Sequence, residues 1–121
     1  KFNEIMHTNR KIGEKGESLA ESYLIKNGYQ VVERNWRSGH KEIDLICTFE
    51  DLYIFVEVKT RTNVRQGLPE ESISESKIRS VTEAAQVYLR EKQYKDIRFD
   101  VVSIILKQGD VELLHIKDAF Y

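Results

Sequence analysis

The stretch Glu42–Arg61, EIDLICTFEDLYIFVEVKTR, decides how the rest of the chain is read. Two runs rich in β-branched and aromatic residues flank Glu50-Asp51, the pattern of two strands, Glu42 to Thr48 and Leu52 to Thr60, joined by a short turn. Charged residues interrupt these runs where a hairpin in an apolar setting tolerates them least. Asp44 stands between Ile43 and Leu45, and Glu57 and Lys59 stand on either side of Val58.

Side chains alternate along a strand, so Glu57 and Lys59 share one face while Val56 and Val58 share the other. A turn of two or four residues around Glu50-Asp51 sets Asp44 opposite Glu57 and Glu42 opposite Lys59. Like charges opposed across a ladder cost up to about 1 kcal/mol when exposed and more when desolvated. A hard divalent cation, Mg²⁺ or Mn²⁺, converts that repulsion into ligation, because it takes carboxylate oxygens together with waters. The carbonyl of Val58 is a further oxygen on the same segment. Lys59 lies about 7 Å beyond Glu57, placed to orient or deprotonate a metal-bound water or to meet charge developing on a phosphate. The combination suits phosphodiester hydrolysis. An isolated Glu-x-Lys is more often a satisfied surface ion pair; the facing Asp44 and the apolar flanks make this one more specific.

Working outward, Leu19, Ala20, Tyr23 and Leu24 recur at helical spacing within Gly13 to Asn27, and Gly28 is a stop signal. YQVVERNWR (Tyr29 to Arg37) reads as a first strand, and SGHK as the turn into the quoted hairpin. After the hairpin, Gly67 and Pro69 mark a loop over Thr62 to Pro69. Ile78, Val81, Ala85 and Tyr88 then form the buried stripe of a second helix. IRFDVVSIIL and VELLHI flank a Gln-Gly-Asp turn as a last hairpin. The element order is α, β, β, β, α, β, β. Glu17 falls at the edge of the first helix's apolar stripe, able to face the sheet, although spacing alone leaves it nearly as open to being a solvated carboxylate. Lys77 stands in the first turns of the second helix, where its charge opposes the macrodipole and a bound phosphate would cancel that cost; exposed lysines are common at such positions too.

The bulk composition sets limits. A chain of 121 residues, 40% hydrophobic, supports one domain with one core, residues 1–11 being a candidate flexible lead-in. Net charge is −1, so any attraction to nucleic acid must come from local basic clusters. Arg34, Arg37, His40 and Lys41 precede the hairpin and Lys59, Arg61 and Arg65 follow its apolar run, which is also the pattern of a solvated basic surface. The single cysteine, Cys47, excludes an internal disulfide and fits a reducing cytoplasm. No stretch has the length and apolarity of a membrane span, and the N-terminus lacks the order of a signal peptide, so a soluble protein is expected. His7, His40 and His115 have no ligand spacing. Arg98 and Asp100 read as a structural ion pair, and Trp36 as packing beneath the first helix.

The segments KGESLAESYLIKNGYQVVERNWR, EIDLI, FVEVKTR, GLPEESISESK and RFDVV occur in the order seen in the YraN-like family of small bacterial proteins. That family resembles the restriction-endonuclease-like nuclease superfamily and is most similar to archaeal Holliday-junction resolvases. The resemblance covers Gly13 to Val102. It implies an α/β fold with the restriction-endonuclease-like α-β-β-β-α-β core, a central mixed sheet flanked by helices. It also implies Glu17 as the helix-one acid, Asp44 as the metal aspartate, Glu57 and Lys59 as the Glu-x-Lys pair, and Lys77 as the lysine opening the second helix. Where relatives carry glycine before Glu-Ile-Asp, this chain has Lys41, with Gly39 two residues earlier. The expectation is a Mg²⁺- or Mn²⁺-dependent endonuclease acting on DNA, with Asp44, Glu57 and the Val58 carbonyl as ligands. Glu17 would support the metal's water shell, Lys59 would handle the water, and Arg37, Lys41, Arg61 and Lys77 would contact phosphates. Analogy with resolvases adds a homodimer. The alternatives are a nucleic-acid-binding module that keeps the site without cutting, and an interaction domain whose charges are structural.

Overall fold

The structure, a computed structural model, describes residues 2–62 and 73–120. Its elements are α1 (Phe2–Lys26), β1 (Gln30–Ser38), β2 (Lys41–Phe49), β3 (Leu52–Arg61), α2 (Glu75–Leu89), β4 (Asp96–Lys107) and β5 (Asp110–Ile116). The order is the one read from the sequence. The loop expected over Thr62 to Pro69 lies, apart from Thr62, outside the described residues.

The five strands form one mixed sheet in the order β1-β2-β3-β4-β5. β3 and β4 pair in parallel, with α2 in the crossover between them, and the other neighbours are antiparallel. Coverage on both faces explains why the centre of β3 is apolar without alternation. On one face, Ala20 and Leu24 of α1 pack over Leu45, Cys47, Ile54, Val56, Val102 and Ile104. On the other, Val81, Ala84, Ala85 and Tyr88 of α2 cover Ile43, Ile46, Phe55 and Phe99. Burying a Phe, Ile or Leu of this kind stabilises by about 1.5–3 kcal/mol, so these two clusters hold the layers together.

α1 begins at Phe2, well before the Gly13 start that the apolar spacing suggested. It ends as expected, with Gly28 at a φ of 91° that an L side chain would strain to adopt. Gly16 has a different reason to be glycine. A Cβ there would lie 1.7 Å from Thr60 Oγ1 and 2.7 Å from Thr60 Cβ, so its absence lets α1 lie directly on β3. That contact seats the next residue, Glu17, above the C-terminal end of β3.

The Arg98–Asp100 pair is structural, as read. Asp100 is fully buried and accepts from Arg98 Nε at 2.8 Å, and from the Asp118 amide at 3.0 Å. His115 Nε2 lies 2.7 Å from the same carboxylate, and its Nδ1 lies 3.1 Å from the Tyr23 hydroxyl, tying α1 to β4 and β5. Hydrogen bonds from His115, Arg98 and the Asp118 amide outweigh burial and hold the Asp100 pKa below its usual value. Burial pushes the Cys47 thiol up to about 12, so it behaves as a small apolar core residue.

Trp36 departs from expectation. It packs edge-on against Tyr88 of α2, ring centroids 5.2 Å apart, rather than beneath α1. The preceding residue, Asn35, has a φ of 50° and breaks the alternation of β1, which turns Trp36 to the opposite face.

Candidate functional site

The β1–β2 turn, the C-terminal end of β3, the first turn of α2 and one side of α1 meet at one end of the sheet. The register of β2 on β3 is the one the hairpin pattern required: Phe49 opposes Leu52, and the ladder continues to Leu45 opposite Val56. Beyond that point the carboxylate of Asp44 takes over, with Oδ2 accepting from the Val58 amide at 2.8 Å. Asp44 and Glu57 are thereby brought together at the point where the ladder stops.

Glu57 is only 2% exposed. Its Oε2 lies 3.3 Å from Lys77 Nζ, and its Oε1 is buried with no hydrogen-bond partner. A buried carboxylate oxygen without a donor is costly unless a ligand satisfies it. Burial, then the neighbouring Asp44 charge, raises the Glu57 pKa against the opposing pull of Lys77. Burial raises that of Asp44 also, against the stabilising Val58 amide. Both shifts express the same deficit of positive charge at a pair of carboxylates.

Glu17, Asp44, Val58, Lys59, Thr60 and Gly13 line an open cleft of about 380 Å³ between α1 and the sheet. Glu17 is pushed up to about 7, chiefly by burial and then by the charges of Asp44 and Glu42. With the Asn35 amide nitrogen facing the acids, Nδ2 lies 3.0 Å from Glu17 Oε1 and 3.0 Å from Glu42 Oε1. Glu42 Oε2 in turn meets Arg37 at 3.0 Å. Among the described residues, no three His, Cys, Asp or Glu side chains converge as a ready metal cage. The site offers two close carboxylates with one oxygen free, the donor set from which a Mg²⁺ ion that keeps several waters is held.

The structure therefore gathers Asp44, Glu57, Lys77, Glu17 and Lys59 at one end of the sheet. Lys77 reaches the site from the first turn of α2, where Ser74 Oγ caps the helix by accepting from the Lys77 amide at 3.1 Å. Val58 serves Asp44 through its amide, a contact that spacing did not anticipate. Arg37 and Lys41 are accessible at the same end, paired with Glu42 and with Glu83 of α2 at 3.0 and 3.1 Å. Arg61, expected with them as a phosphate contact, is instead buried at 8% exposure. Gly16 and Asn35 were missed. The glycine inside an otherwise helical pattern was the available signal for the first, and an asparagine inside a strand for the second.

A larger hollow of about 580 Å³ lies where β2 turns into β3, lined by residues that include Glu50, Asp51, Tyr53, Tyr94 and Lys95. Its charged side chains are exposed, and it contains no buried carboxylate.

Fold and site together define a mixed α/β domain with a paired-carboxylate site, its Asp44 lining a cleft at one end of the sheet. The chain belongs to the Uncharacterised protein family UPF0102, whose family model matches residues 16–104. It is 44% identical over 114 residues to a UPF0102 protein of Syntrophomonas wolfei, covering 93% of this chain and 99% of that one. Similar relatives occur in Chloroherpeton thalassium, at 42% identity over 95% of this chain and 97% of the relative, and in Rhodococcus opacus, at 41% over 95% and 100%. No helix among the described residues is long and apolar enough to cross a membrane.

Proposed function

We propose that this protein is a divalent-metal-dependent endonuclease that hydrolyses phosphodiester bonds in DNA, with branched or damaged duplexes as the substrate class. The observation that carries the reading is the buried Glu57, its Oε1 left without a partner, beside a half-buried Asp44 that lines an open cleft. Asp44, Glu57 and the Val58 carbonyl would hold Mg²⁺ or Mn²⁺. The ion, when bound, supplies a water of lowered pKa and a positive charge at the scissile phosphate.

The protein's own groups do the remaining work. Lys59 and Glu17 share the cleft with Asp44, where an ammonium and a carboxylate raised to about 7 are suited to orienting a water and taking its proton. Lys77, Lys41 and Arg37 stand at the same end as contacts for backbone phosphates, which would exchange their present acidic partners for phosphate oxygens. Helix and strand ends hold these groups, so the site is largely preorganised. A homodimer would present two such sites to a symmetric junction.

The test is cleavage of a labelled four-way junction and its linear duplex in Mg²⁺ and in Mn²⁺. Wild-type protein is expected to cut and Asp44→Asn to be inactive while melting cooperatively. Equal product from both would overturn the assignment. Metal-independent binding with no product under any condition would leave a nucleic-acid-binding module instead, its phosphate contacts countable from the salt dependence.

A further inference from the structure

Asn35 of β1 reaches both Glu17, which lines the cleft, and Glu42 at the start of β2. Around it the β1–β2 ladder does not alternate. Arg34 bonds Glu21 of α1 at 2.6 Å, so it faces α1, while Trp36 and its partner Ile43 pack into the cluster under α2. The left-handed φ of 50° at Asn35 absorbs the switch and leaves its side chain on the α1 side. Asparagine is among the few residues with a side chain that adopt this conformation at modest cost.

We propose that Asn35 is a positioning residue of the site: its amide bridges Glu17 and Glu42 and holds the Glu17 carboxylate against the cleft that Asp44 shares. Both N–H groups of Nδ2 are used, each on a different carboxylate 3.0 Å away. Glu42 is anchored from its other oxygen by Arg37 at 3.0 Å, so the chain Arg37–Glu42–Asn35–Glu17 runs from an accessible cation to the cleft wall. Only one Glu17 oxygen is engaged by the bridge. A carboxylate on a long side chain, close to Asp44 and Glu42, would otherwise turn toward bulk solvent to escape their charge. Groups that orient a metal's surroundings in this way typically change metal affinity by about 10- to 100-fold when removed.

The inference rests on the metal-dependent reading of the same site. Its test is Mn²⁺ titration by calorimetry of wild type, Asn35→Gly, Glu17→Gln and the double variant, with the melting temperature of each measured without metal. Glycine accepts the positive φ without strain, so Asn35→Gly removes the amide and keeps the backbone. Asn35→Gly is expected to weaken Mn²⁺ binding about 10-fold with little change in metal-free melting, and to add nothing further in the Glu17→Gln background. A wild type that binds Mn²⁺ and an Asn35→Gly variant that matches it, or two effects that simply add, would overturn the positioning role alone. A wild type that takes up no Mn²⁺ would remove the metal-dependent reading and this inference with it.

Discussion

Replacing Glu57 by glutamine is expected to make the metal-free protein more stable, not less. The glutamate is 2% exposed, its Oε1 has no partner, and Asp44 raises its pKa on top of burial. An unsatisfied buried polar group costs about 1–3 kcal/mol and a charged one more, while the ion pair with half-exposed Lys77 returns part of that. A net gain of about 2 kcal/mol follows for Glu57→Gln where the glutamate is ionised, or about 8 °C in melting temperature for a domain of this size. The sign depends on pH. The folded pKa of Glu57 lies above its ordinary 4.5, so the native state keeps a proton that the unfolded chain has lost, and wild-type stability falls as pH rises above that value. The variant should therefore melt with wild type near pH 5 and above it at pH 8. Mg²⁺ at about ten times its dissociation constant should return about 1.4 kcal/mol to wild type at pH 8 and far less to the variant. Differential scanning calorimetry at the two pH values, with and without Mg²⁺, reads all four states. A Glu57→Gln protein that melts below wild type at pH 8, or that gains as much from Mg²⁺, would refute the reasoning.

Two further outcomes are expected. Gly16→Ala should destabilise by about 1–3 kcal/mol, because the new methyl group meets the Thr60 side chain at its Cβ as well as its hydroxyl and rotation alone cannot clear it; urea denaturation measures the loss. Glu17, raised from 4.5 to about 7, adds to the metal-free loss of stability across that interval, so Glu17→Gln should flatten the dependence of melting temperature on pH between them.

The hairpin register was legible because it follows from two local facts: the alternation of side chains and the tight turn at Glu50-Asp51, where Glu50 adopts a φ of 55°. The helices followed from the periodicity of Leu19, Ala20 and Leu24, and of Val81, Ala85 and Tyr88, each set of which packs on the sheet. The nearness of Asp44 and Glu57 was legible for the same reason, although the regular ladder ends one pair before them. What spacing could not convey was the end of the ladder, where the Asp44 carboxylate displaces regular pairing to bond the Val58 amide. The face of Trp36 was equally hidden, since one left-handed residue, Asn35, breaks the alternation just before it. Lys77 was readable as the lysine opening α2, but its contact with Glu57 depends on how α2 lies across the sheet, which periodicity along one helix does not specify. Arg61 shows the opposite failure: charge suggested the surface, and the side chain is buried.

The most direct measurement is the location of a bound cation. Crystals of the wild-type protein soaked in Mn²⁺ should show an anomalous difference peak between the carboxylates of Asp44 and Glu57, within ligation distance of Glu57 Oε1. Anomalous density only elsewhere on the molecule, or none from protein that binds Mn²⁺ in solution, would contradict the assignment of this pair as the metal site.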